Sequence, residues 1–143
     1  MNESDLLDKL RKIERLYAGA TTPGEKEAAS EAIARIRKRL ADVERVDPAI
    51  EYRFGLTDGW SKKLFIALLR RYEIRPYRYS RQRRNTVMAR VPRSFVNEIL
   101  WPEFLELSKV LKTYIDDVTD RVIATGIHGN AAEEDVVSGD FLE

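Results

Sequence analysis

Apolar residues recur at helical spacing along most of this chain, and the one stretch where the period drops to two limits the fold most. Tyr77 and Tyr79 alternate with Arg78 and Ser80, and Val87, Ala89 and Val91 alternate with Met88 and Arg90. Side chains of a strand point alternately to opposite faces, so two strands are expected here. Between them lies Arg81-Gln82-Arg83-Arg84-Asn85, too polar to bury and ending in a residue that tolerates left-handed turns. With Pro92 as its close, the β-hairpin spans 75–92. A lone hairpin is marginal in water, so it must pack on helices or pair with another chain.

The helical segments frame that hairpin. Leu6, Leu10, Ile13 and Tyr17 form one stripe, and Ala29, Ile33, Ile36, Leu40 and Val43 form a second. Thr22-Pro23-Gly24-Glu25 carries the hydroxyl, proline and glutamate of a helix start, so a helical hairpin over 1–46 is expected. Asp47-Pro48 ends the second helix, and 47–58 reads as a connector. Trp60, Leu64, Phe65, Leu68, Leu69 and Tyr72 predict a core helix over 58–74, with Arg70-Arg71 at the negative end of its dipole. Ser94 caps a helix over 94–126 that Trp101-Pro102 should kink, because proline has no amide hydrogen to donate. Phe104, Leu107, Leu111, Tyr114, Val118 and Val122 carry that helix to Gly126. The expected class is α+β, predominantly α, with one helix-rich domain over 1–128. Residues 129–143 hold five acids and no base, and read as a flexible acidic tail.

Composition narrows the chemistry. The chain has no cysteine and one histidine, His128, so disulfides, thiolate metal sites and thiol nucleophiles are absent and structural zinc is not expected; composition leaves a carboxylate magnesium site open, but no metal or cofactor is assigned. Its start is polar and acidic, and no stretch approaches the roughly 20 apolar residues of a membrane span, so a cytoplasmic protein is expected. Net charge is only +1, yet residues 70–93 hold nine arginines against one acid, Glu73, for a local charge of +8. Such asymmetry concerns partners rather than fold.

Arginine forks match phosphate oxygens, and tyrosine rings offer stacking faces to bases, so the hairpin reads as a nucleic-acid surface, for DNA ahead of RNA. Its expected residues are Arg75, Arg78, Arg81, Arg83, Arg84, Arg90 and Arg93. Strand alternation turns Tyr77 and Tyr79 toward the core beside Val87, Ala89 and Val91, leaving the arginines to act as an electrostatic clamp. An adaptor or inhibitor docking the same arginines on an acidic protein surface, the chain's own tail included, is the alternative. A metal-independent ribonuclease toxin using Tyr77, Tyr79, Arg81 and Arg83 is a third reading. No catalytic residues are assigned, and the reading leans away from an enzyme. Asp116, Asp117 and Asp120 read as solvated helix face, His128 as a surface residue, and Trp60, Trp101 and Phe104 as core. The stripes over 29–43 and 104–122 suit a homodimer.

Lys12-Ile13 through Leu16, then Thr22-Pro23, Glu25, Glu27-Ala28-Ala29 and Ala32, resemble the helical hairpin that opens a widespread bacterial and phage family of unknown function. The resemblance covers about a third of the chain. It implies a helical-hairpin fold and a bacterial or mobile-element setting, and no chemistry.

Overall fold

A computed structural model describes residues 1–18 and 26–139. Helix makes up 61% of the structure, which is α+β and mainly α. Among the described residues the order is α1 (Glu3–Ala18), α2 (Lys26–Glu44), β1 (Ile50–Gly55), α3 (Gly59–Arg71), β2 (Thr86–Val91) and a long helix α4 over 93–127. The helix-start motif at 22–25 lies outside the described residues. No described helix is long and apolar enough to cross a membrane.

The sheet is two-stranded and antiparallel, as the period of two implies, but β2 takes a different partner. Residues 50–55, read as connector, pair with 86–91 in the register Ile50↔Val91 through Gly55↔Thr86. The tyrosine segment makes one isolated bridge, Tyr77↔Met88, on the opposite edge of β2. Charge limits the tyrosine segment to that one bridge. Extending the Tyr77 register would set Arg75 against Arg90. β1 instead sets Glu51 against Arg90.

On the inner side of the sheet, Phe54, Val87, Ala89 and Val91 join Phe65, Leu68 and Leu69 of α3 and Phe95, Val96, Ile99, Leu100, Phe104 and Leu107 of α4 in one core. Phe54 stacks on Trp101 at 5.9 Å and meets Phe65 at 4.5 Å. Asp58 starts α3 by accepting the Ser61 amide hydrogen at 2.8 Å. At its other end Glu73 adopts φ 59°, a left-handed position that glycine usually fills, while Ile74 N–H returns to Leu69 O and the Ile74 side chain is buried. That reversal launches residues 75–79 along the free edge of β2.

α4 bends the way its proline demands. In regular α geometry the Pro102 ring would collide with the carbonyl four residues back, so the helix widens into a π turn over Val96–Leu100, with Trp101 N–H on Val96 O. Ser94 does not cap by accepting from its own helix, as expected from sequence. Its amide and hydroxyl both donate to Asp47 Oδ2, at 2.9 and 2.6 Å, and hold that carboxyl below its ordinary range. α4 ends at His128, in left-handed conformation, rather than at Gly126.

One charged group lies inside the core. Glu103 of α4 is 0% exposed and accepts the Tyr72 hydroxyl at 2.6–2.7 Å. Arg71, turned inward rather than left at the helix end, reaches Glu103 at 3.8 Å and Glu14 of α1 at 2.5 Å. Burial pushes the Glu103 carboxyl up to about 7 against the opposing pull of Tyr72 and Arg71, with Glu14 adding to the rise. The folded state therefore holds this proton more tightly than the unfolded chain does. The stability this group contributes should be fully present below about pH 4.5 and be lost, on the order of 3 kcal/mol, as pH rises through 7. Chemical denaturation at pH 5 and pH 8 measures that drop, and Glu103→Gln should flatten it; equal slopes in parent and variant would remove Glu103 as its source.

Candidate nucleic-acid interface

β2 alternates its hydrogen bonds between two edges, and that alternation fixes the outer face of the sheet. Met88 exchanges both backbone hydrogen bonds with Tyr77, at 2.7 and 3.0 Å, so Val87, Ala89 and Val91 bond to β1. Pairs opposite one another share a face. Glu51, Arg53, Arg90, Thr86, Met88 and Tyr77 consequently belong to the outer side, and Gly55 leaves a gap in it.

Tyr77 and Tyr79 lie on this side and not in the core, contrary to the alternation-based expectation. Tyr79 is 52% exposed. Both hydroxyls cross β2 to donate to Glu51 Oε2, each at 2.5 Å, with the rings edge to face at 5.8 Å. Core positions are taken by β1 instead. The two hydrogen bonds hold the Glu51 carboxyl below its ordinary range, with Arg90 adding to the effect. In return Glu51 pushes the Tyr77 phenol up to about 12 and raises Tyr79. Both phenols therefore keep their protons at neutral pH and serve as donors to Glu51.

The polar stretch after Tyr79 is pinned rather than free. Gln82 accepts the Tyr79 amide hydrogen through Oε1 at 3.0 Å, donates through Nε2 to Met88 Sδ, and receives Arg78 Nη1 on its carbonyl at 2.7 Å. Lys62 Nζ donates to Arg84 O, and Leu56 N–H to Asn85 O. These bonds bring Arg81 and Arg83 beside Arg53, around an open pocket of about 530 Å³ completed by Gly55, Gln82 and Thr86.

The expected residues divide accordingly. Arg81 and Arg83 line the pocket. Arg90 stands opposite Glu51, with Nη2 3.5 Å from Ala49 O. Arg75 lies 5.6 Å over the Tyr77 ring, and Arg78 is folded onto Gln82. Arg84 is exposed beside the pocket residues, whereas Arg93 sits at the start of α4, past the far end of β2. Among the described residues none of these seven, nor Arg53, lies within ion-pair distance of a carboxylate, the described part of the acidic tail included. Sequence reasoning missed Arg53, Gln82 and Glu51. The signal for Arg53 was the alternation Glu51-Tyr52-Arg53-Phe54, hidden in a stretch too short to stand out from a connector.

A second cavity, of about 570 Å³, opens at the Gly55–Leu56 end of β1 and is walled by Trp60, Trp101, Phe104 and Leu105. Phe104 is buried as expected, while Trp60 and Trp101 are half-buried walls. Among the described residues no group of three His, Asp or Glu is placed to hold a metal ion. No family model matches the chain, nor does any curated protein or solved structure.

The Glu51 clamp carries its own test. Glu51→Gln removes the carboxylate whose hydrogen bonds raise the two phenols, so spectrophotometric titration should show fewer tyrosines ionising at the alkaline end than in the parent. An unchanged curve would mean that Glu51 does not hold them.

Proposed function

We propose that the outer face of the sheet binds nucleic acid, DNA ahead of RNA, with the Arg53–Arg81–Arg83 pocket as its phosphate site. One observation carries this reading. Three guanidinium groups from two separate segments converge on one open pocket, with no carboxylate among the described residues to neutralise them. Like charges gathered without a counterion favour an anionic ligand, and the planar fork of arginine fits phosphate oxygens. Arg84, Arg75 and Arg90 extend the positive field, and the exposed Tyr79 ring adds a stacking face. Duplex DNA stands first because it presents phosphates at one negative charge per about 1.7 Å of helix axis to such a face. The protein would act as a non-catalytic binder, in the bacterial or mobile-element setting that the N-terminal hairpin's resemblance implies.

Fluorescence anisotropy with labelled duplex DNA, single-stranded DNA and RNA at low and moderate salt tests the assignment. Binding should weaken steeply with salt, and Arg53→Ala, Arg81→Ala or Arg83→Ala should each lower the log–log salt slope by about 1. Arg93→Ala, away from the pocket, should leave the slope near the parent value. Absence of binding to all three probes at low salt would overturn the assignment, as would a triple pocket variant that binds like the parent.

A further inference from the structure

The edge of β1 turned away from β2 is unpaired, and its chemistry names a partner. Since Ile50, Tyr52 and Phe54 exchange hydrogen bonds with β2, the N–H and C=O groups of Glu51, Arg53 and Gly55 point the other way. Among the described residues no strand lies on that side, because the sheet consists of β1 and β2 alone. An open strand edge is a template for another strand, and proteins that stay monomeric usually blunt it with proline, a bulge or charged side chains. β1 carries no proline and no bulge between Ile50 and Gly55, and its two charges, Glu51 and Arg53, are of opposite sign.

We propose that this edge pairs with the same edge of a second copy of the chain, antiparallel and centred on Tyr52, giving a four-stranded sheet. Two-fold symmetry and charge select that register. Centred on Glu51, the pairing sets two glutamates face to face; centred on Arg53, it sets two arginines face to face. Centred on Tyr52, it sets Glu51 of each copy against Arg53 of the other, twice, and Ile50 against Phe54 on the inner side. The groups are ready for this. Both tyrosine hydroxyls use Glu51 Oε2, which leaves Oε1 free, and Arg53 has no carboxylate of its own among the described residues. Ile50, 40% exposed in the single chain, gains a cross-strand neighbour. The five N–H donors of a guanidinium allow Arg53 to hold the second copy's Glu51 and still face its own pocket. Pairing would also place two phosphate pockets on one continuous face, a consequence that rests on the nucleic-acid reading; the pairing itself does not.

The test uses the full chain without nucleic acid, so that its failure and the failure of nucleic-acid binding are read separately. Light scattering behind size exclusion should give twice the 16.6 kDa chain mass for the parent. Glu51→Lys and Arg53→Glu should each run as monomers, because every cross-copy pair becomes like-charged. An equal mixture of the two variants should return to the doubled mass, since each introduced charge then meets its opposite. Tyr52→Cys adds a readout independent of charge. Residues facing each other across the two-fold in a pair that is not hydrogen-bonded have Cα atoms about 4.5 Å apart, within disulfide reach, and the chain has no cysteine of its own. Oxidation should therefore link this variant into a covalent dimer. A monomeric parent, charge variants that stay dimeric, or a mixture of folded variants that stays monomeric would each overturn the proposal.

Discussion

β2 bonds to a neighbour along both of its edges, and the parity of those bonds decides where the surrounding side chains go. With Val87, Ala89 and Val91 committed to β1 and Met88 to Tyr77, the inner face becomes core and the outer face receives Glu51, Arg53 and Arg90. A slip of β1 by one residue would turn that strand over, burying Glu51 and Arg53 and exposing Phe54. Burial of Phe54 between Phe65 and Trp101 makes that slip costly. The same packing that anchors the sheet on α3 and α4 therefore aims the arginines at solvent.

Two glutamates in this structure are gripped by tyrosine hydroxyls, and they respond in opposite directions. Glu51 sits on the open face, where water solvates its charge, and its two tyrosine donors lower its proton affinity. Glu103 has a comparable donor in Tyr72 and a nearby guanidinium, yet burial outweighs both and raises it. The buried group costs stability as it ionises. What it supplies is geometry: through Arg71 it links α1, α3 and α4 at one point, and a packing that separated these residues would strand a charge in the core.

The helices were legible because each carries an apolar stripe long enough to fix a period, and the proline of Trp101-Pro102 marked the irregular turn for a reason local to the backbone. The sheet partner was not legible. β1 is six residues long, it follows a proline, and its two charges are cancelled in any compositional average. Recognising it required asking what would face Arg90, a question of register that periodicity does not raise. The tyrosines misled for a related reason. Alternation says that Tyr77 and Tyr79 share a face, but which face depends on the strand they join and on how much of it they join. β2 complicates the reading further by burying Met88 as well as Val87, Ala89 and Val91, so its own burial does not alternate. Arg81 and Arg83 were legible as surface; their convergence with Arg53, about thirty residues earlier in the chain, was not.

Charge density alone makes a surface sticky for anions, whereas fixed charge makes a site. Arginine side chains lose rotamer freedom when they hold a ligand, and a backbone already held still limits the further loss. In the Arg81–Arg84 segment the backbone is tied to Tyr79 through Gln82, to Lys62 through the Arg84 carbonyl, and to Leu56 through Asn85. Arg53 projects from a paired strand, with Gly55 opening the space beside it. Hydrogen bonds that leave the guanidinium groups free have been spent on the loop that carries them. A merely solvated run of arginines has no need of that restraint, and the restraint is what separates this pocket from the rest of the basic surface.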